Sequence, residues 1–147
     1  MTTDRRTRDR PDGGGAGVRC PCGRLERSGQ PLAFERCCAP YLRQDDPRAA
    51  ADAECLMRSR YTAYVVGRAD YLLATWHASH RPADVALPTG LKWLGLEVRT
   101  CRQVAADRAE VEFVARSTLN GRATRLHETS RFVREDGRWF YVDGDLH

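Results

Sequence analysis

Four of the six cysteines in this 147-residue chain fall between positions 20 and 38, in a largely polar stretch. A hydrophobic core cannot account for them there, because the neighbours offer little apolar surface to pack against. Cys20-Pro21-Cys22-Gly23 sets two thiols on one tight turn, with Pro21 fixing the backbone and Gly23 free to take a positive φ. Cys37-Cys38 supplies a second pair after an intervening loop. Four thiolates suit a tetrahedral Zn²⁺ at about 2.3 Å each, and zinc adds no redox chemistry of its own. With sulfur at every position no site is left for water, so the expected metal is structural rather than hydrolytic. Zinc is the favoured occupant; an iron site, a redox-active Cys37-Cys38 pair and simple buried thiols are the alternatives. Cys55 and Cys101 lie among apolar residues at helix and strand periods and are expected to be small core residues.

Ahead of this knuckle, residues 1–18 are rich in Arg, Asp, Thr and Gly and are expected to be a disordered tail. Residues 39–47 read as a short polar linker. From 48 to 66 the apolar residues Cys55, Leu56, Met57, Tyr61, Tyr64 and Val65 recur at three and four, as on one face of a helix closed by Gly67. Residues 69–75 suggest a second, shorter helix. The period then changes to two: strands are predicted over 93–101, 108–118, 123–135 and 138–143, with Leu94, Leu96 and Val98 sharing a face of the first. Asn120-Gly121 and Asp136-Gly137 are hairpin turns. Helices followed by an antiparallel meander give an α+β domain over 41–147, with a space between layers where a ligand fits.

The formal charge of +4 comes almost wholly from arginine, Lys92 being the single lysine, and it is spread along the chain. Nucleic acid usually requires a clustered patch, so that partner is disfavoured. No apolar run reaches the length of a membrane span and no secretory h-region is visible, so a cytoplasmic protein with reduced thiols is expected.

The Cys-Pro-Cys-Gly and Cys-Cys pairs resemble the SEC-C motif, the zinc-binding tail of the SecA translocation ATPase. The segments Leu56-Met57-Arg58-Ser59-Arg60-Tyr61, Asp70-Tyr71-Leu72 with Thr75-Trp76-His77, Trp93-Leu94-Gly95-Leu96, and Glu128 to Phe132 with Trp139, Tyr141, Val142, Asp143 and Gly144 resemble the uncharacterised bacterial YchJ family. The likeness runs over nearly everything after Val18. It implies a SEC-C-like knuckle at 19–40 binding one zinc per chain through Cys20, Cys22, Cys37 and Cys38. Behind it should lie a nuclear transport factor 2-like cone, a curved sheet wrapped on helices. The loop between the cysteine pairs is longer than the usual SEC-C spacing and lacks its Ser-Gly after the first glycine. The resemblance also implies a protein partner, of the translocation or ribosome-associated machinery.

Within the cone, alternation along the third strand puts Leu126, Glu128, Ser130 and Phe132 on one face. A carboxylate in an apolar cavity has a raised pKa and can act as a base. An ion pair between Glu128 and Arg58 or Arg60 is the preferred alternative. His77 is the best single catalytic candidate, although capping or packing is the commoner use of a histidine there. Tyr61 or Tyr64 can offer a hydroxyl to the cavity, with core packing the default. His80, His127 and His147 show no metal-ligand spacing. An adaptor that docks through the knuckle is preferred over an isomerase- or dehydratase-like enzyme, since fold analogy alone supports the latter. Pairing of two copies through the outer sheet face is a further expectation.

Overall fold

The computed structural model describes residues 17–147; all but two residues of the expected disordered tail lie outside that range. A short 3₁₀ turn, Phe34–Arg36, leads through the second cysteine pair into helix α1, Ala39–Leu42. The first part of the expected linker is therefore helical, opened by Pro40, whose fixed φ suits the first turn. Helix α2 is Ala53–Val66. It starts five residues later than the propensity of 48–52 suggests, because the Asp52 side chain accepts the Cys55 amide at 2.7 Å and caps it there. Gly67, at φ 81°, ends it in the left-handed region. Helix α3, Ala69–Ala74, follows at once. No helix of the described residues is long and apolar enough to cross a membrane.

Strands β1 (Lys92–Ala105), β2 (Arg108–Leu119), β3 (Arg122–Glu135) and β4 (Arg138–Leu146) form one antiparallel sheet in sequence order. Asn120 and Gly121, then Asp136 and Gly137, all take positive φ, the geometry that lets a two-residue turn follow the twist of its strands. All four strands are longer than the sequence pattern suggests.

The first strand departs from simple alternation. A bulge between Trp93 and Gly95 turns Leu94 out to solvent, 61% exposed, while Trp93, Leu96 and Val98 pack on the core. The expected face of Leu94, Leu96 and Val98 is corrected accordingly. α2 lies across the inner sheet face, where Leu56, Met57 and Tyr61 meet Val111, Phe113, Phe132 and Trp139. α3 is tied to β4 by a parallel bridge at Trp76 and Tyr141, with Tyr141 N donating to Thr75 O at 2.9 Å and His77 N to Tyr141 O at 2.7 Å.

Cys20, Cys22 and Cys38 belong to the same buried cluster as Tyr61, Phe113 and Phe132. The knuckle is thus one wall of the main core. The two remaining cysteines are not core residues. Cys101, paired with the buried Val111 and near Glu54 at the start of α2, is exposed, and Cys55 is half-buried with its sulfur receiving a hydrogen bond from Arg24 Nη1 at 3.3 Å.

Candidate metal centre

Residues 18–34 form a narrow ribbon that brings the two cysteine pairs together. Phe34 N donates to Val18 O, Cys20 N to Leu32 O, Leu32 N to Arg24 O and Glu26 N to Gln30 O, all between 2.7 and 2.9 Å. Within the first turn Gly23 N donates to Cys20 O at 3.1 Å, and Gly23 takes φ 74°, as the sequence requires. The 3₁₀ turn then swings Cys37 and Cys38 back beneath that turn.

The four sulfurs all lie within 4.8 Å of one another, with Cys22 Sγ and Cys37 Sγ at 3.5 Å. Cys20, Cys22 and Cys38 are buried and Cys37 is half-buried. Hydrogen bonds within the cluster, first that with Cys22, draw the Cys20 thiol below its ordinary range. Bonds to Cys20 and Cys22, with burial, push Cys37 and Cys38 above theirs. Such a cluster gives up its first protons easily and holds the last ones, and a cation among the sulfurs would favour the ionised form of all four.

The donor set fits a metal that takes four soft ligands in a closed shell. Its surroundings fit as well. Arg58 Nη1 donates to Cys22 O at 3.0 Å, while Arg58 Nε is buried with no hydrogen-bond partner among the described residues, beside a centre that would gather anionic sulfur. Arg58 also pairs with Glu54 at 3.6 Å, and Glu54 with Arg24 at 3.2 Å, so two guanidiniums flank the knuckle. These four cysteines can hold a metal ion.

The other sequence candidates do not join this centre. Glu128 and Ser130 share the inner face as expected, and Ser130 Oγ donates to Glu128 Oε2 at 3.0 Å. Neither expected arginine pairs with Glu128. Arg58 turns to the knuckle, and Arg60, 4% exposed, gives Nη1 to Leu72 O and Thr75 Oγ1, both at 2.7 Å, with its plane over Trp76 and Tyr141. Burial raises the Glu128 pKa, with the Ser130 bond and the Arg60 charge opposing. Tyr61 is buried against Trp93, ring centroids 5.5 Å apart, and burial pushes its hydroxyl up to about 12, so it packs rather than lines a cavity. His77 stands apart on the β4 side, bonded to Ser79 Oγ at 2.6 Å and Glu135 Oε1 at 2.9 Å. It shares no partner with Glu128.

One cluster escaped the sequence because its members are far apart in the chain. Glu112, His127 and His147 bring their donor atoms within 4.8 Å of one another on the outer sheet face. His127 Nε2 meets Glu112 Oε2 at 2.8 Å, and the rings of His127 and His147 stack at 4.3 Å. Only the pairing of β2 with β3, and of β3 with the end of β4, could have shown it.

A family model described as YchJ, middle NTF2-like domain, matches residues 52–144. The chain belongs to the YchJ family. A UPF0225 protein of Polaromonas sp. strain JS666 is 63% identical over 130 residues, 88% of this chain and 94% of the relative. One of Bordetella pertussis is 48% identical over 128 residues, 86% and 92% of the two chains. The solution structure of a SEC-C motif containing protein from Rhodopseudomonas palustris has a TM-score of 0.73 and 31% identity, covering 88% of this chain and 99% of that one. The crystal structure of such a protein from Psychrobacter arcticus has a TM-score of 0.71 and 27% identity, covering 88% and 82%. The YchJ family match begins at Asp52, the cap of α2, and leaves the four cysteines in the segment before it.

Proposed function

We propose that this YchJ-family protein is an adaptor, which holds one structural Zn²⁺ in its knuckle and uses the ribbon that the metal braces to dock on a protein partner. The observation that carries the reading is the contrast between the two ends of the ribbon. Cys20, Cys22 and Cys38 at its base are buried in the main core with Cys37 packed against them, while Leu25, 57% exposed, stands at the bridge with Pro31 and is followed by the exposed run from Glu26 to Gln30. A closed site with no open coordination position supports structure rather than hydrolysis. An exposed apolar side chain with polar neighbours can supply the apolar centre of an interface whose rim is polar.

Two measurements test this in order. Elemental analysis of untagged protein purified without added metal should give about one zinc per chain, lost in Cys37→Ser. Leu25→Asp should keep its zinc and its melting temperature and yet lose a partner that the unaltered chain retains in cross-linking from cell extract. Zinc loss in Leu25→Asp would show that the ribbon tip is structural, and retention of the partner would remove the tip from the interface.

A second reading, chemistry inside the cone, draws on the half-buried Glu128 and on Trp76 Nε1, which is buried without a hydrogen-bond partner among the described residues. Glu128→Gln should abolish any such activity and leave partner capture intact.

A further inference from the structure

The cavity that stands out lies away from both the knuckle and Glu128. It has a volume of about 380 Å³ and is built by three stretches of chain: the irregular segment after α1, the junction of α2 with α3, and the start of β4. That volume is in the range that accepts small organic ligands. Its floor is apolar and aromatic: Leu56 and Trp139 are buried, and Tyr71 and Phe140 are half-buried. The Tyr71 hydroxyl is already bonded to Ser59 Oγ at 2.7 Å, which leaves its ring, rather than its oxygen, to the cavity.

The rim is cationic. Arg43, Arg48, Arg68 and Arg138 line it against one carboxylate, Asp70. Arg68 uses that carboxylate up, with Nε to Oδ1 at 2.8 Å and Nη2 to Oδ2 at 2.9 Å, and its Nη1 goes to Leu42 O. Arg43, Arg48 and Arg138 form no ion pair with any described carboxylate, whereas Arg24, Arg102 and Arg131 elsewhere on the molecule do. Three exposed guanidiniums around one concavity give it a local positive field that favours an anion, and their planar forks match phosphate oxygens. These residues are dispersed in the sequence, so the spread-out charge read there is concentrated by the fold.

We infer that this cavity binds a small phosphate ester with a flat ring, of nucleotide size, the phosphate held by Arg43, Arg48 and Arg138 and the ring laid on Tyr71 and Phe140. The aromatic floor calls for more than a bare anion, and the arginines call for more than a neutral ring. The inference is independent of the adaptor reading, since no cysteine ligand and no residue of the ribbon lines the cavity.

The test is a titration of the isotope-labelled full chain, followed by amide chemical shifts, with adenosine monophosphate, adenosine and inorganic phosphate in turn. Adenosine monophosphate should move the amides of residues 41–50, 68–75 and 138–140 and bind more tightly than either half. Arg48→Ala and Arg138→Ala should each weaken it about tenfold, the effect of one charged hydrogen bond. Arg122→Ala, at an exposed arginine of the β2–β3 turn, should leave it unchanged. Three results would each overturn the proposal: no movement of those amides at millimolar adenosine monophosphate, equal binding of inorganic phosphate, or an equal loss in Arg122→Ala.

Discussion

Glu128 is held by a single side-chain donor, Ser130, with its carboxylate laid against the backbone of Gly144. A methyl group on Gly144 would fall 2.4 Å from Glu128 Oε1, so a glycine there makes the room that the carboxyl fills. Burial raises the Glu128 pKa, which means that the folded chain keeps a proton where the unfolded chain has lost it. The stability that this contributes is complete below the ordinary carboxylate pKa and is lost as pH rises through the raised value. Asp70 and Asp143 have lowered pKa values and act in the opposite sense, so the comparison must be with a variant rather than with the raw profile. In urea unfolding at stepped pH from acid to neutral, the unaltered protein should lose stability relative to Glu128→Gln across that window. Parallel profiles for the two proteins would mean that Glu128 is hydrated.

At the scale of elements, α2 organises the molecule, since it carries Arg58 to the knuckle, Arg60 toward α3 and Leu56 and Tyr61 to the sheet. Its start depends on one side chain. Asp52→Ala should cost about 1 kcal/mol, read as a lower urea midpoint, while Asp52→Ser should restore most of it because serine caps nearly as well. The existence and order of α2, α3 and the four strands, and the antiparallel pairing of the strands, were legible, because Asn120-Gly121 and Asp136-Gly137 are explicit turn signals and the third strand alternates cleanly through Leu126, Glu128, Ser130 and Phe132; α1, read as linker, was not. The face of Leu94 was not legible: Gly95 within the strand signals a bulge, but does not say which neighbour leaves the ladder. Nor could spacing say that neither arginine pairs with Glu128. That depends on how α2 is rotated, and the rotation is set by contacts with the knuckle and α3 that lie many residues away.

Taken as a whole, the molecule has its proposed metal clip inside the core rather than on a tether. The four clustered cysteines were legible from their spacing, but their integration was not, since it rests on long-range contacts: Cys20 Sγ with Thr62 Oγ1 at 3.9 Å, Arg58 with the Cys22 carbonyl, and Gly23 close above Leu96 O. A clip on a tether would unfold alone when its metal is removed. Here removal of the proposed metal would leave four thiols facing one another in a wall shared with Tyr61, Phe113 and Phe132. A site filled to a thousand times its dissociation constant contributes about 4 kcal/mol, enough to move the melting temperature of a domain this size by roughly 10 °C. A zinc chelator at neutral pH should therefore lower the main transition of the whole domain, and hydrogen exchange should speed up in residues 18–38, in α2 and in β1 around Leu96 before it does in β3 and β4. If chelation instead melts only residues 18–38 and leaves the main transition where it was, the cysteines brace the ribbon alone and the contacts with α2 contribute little.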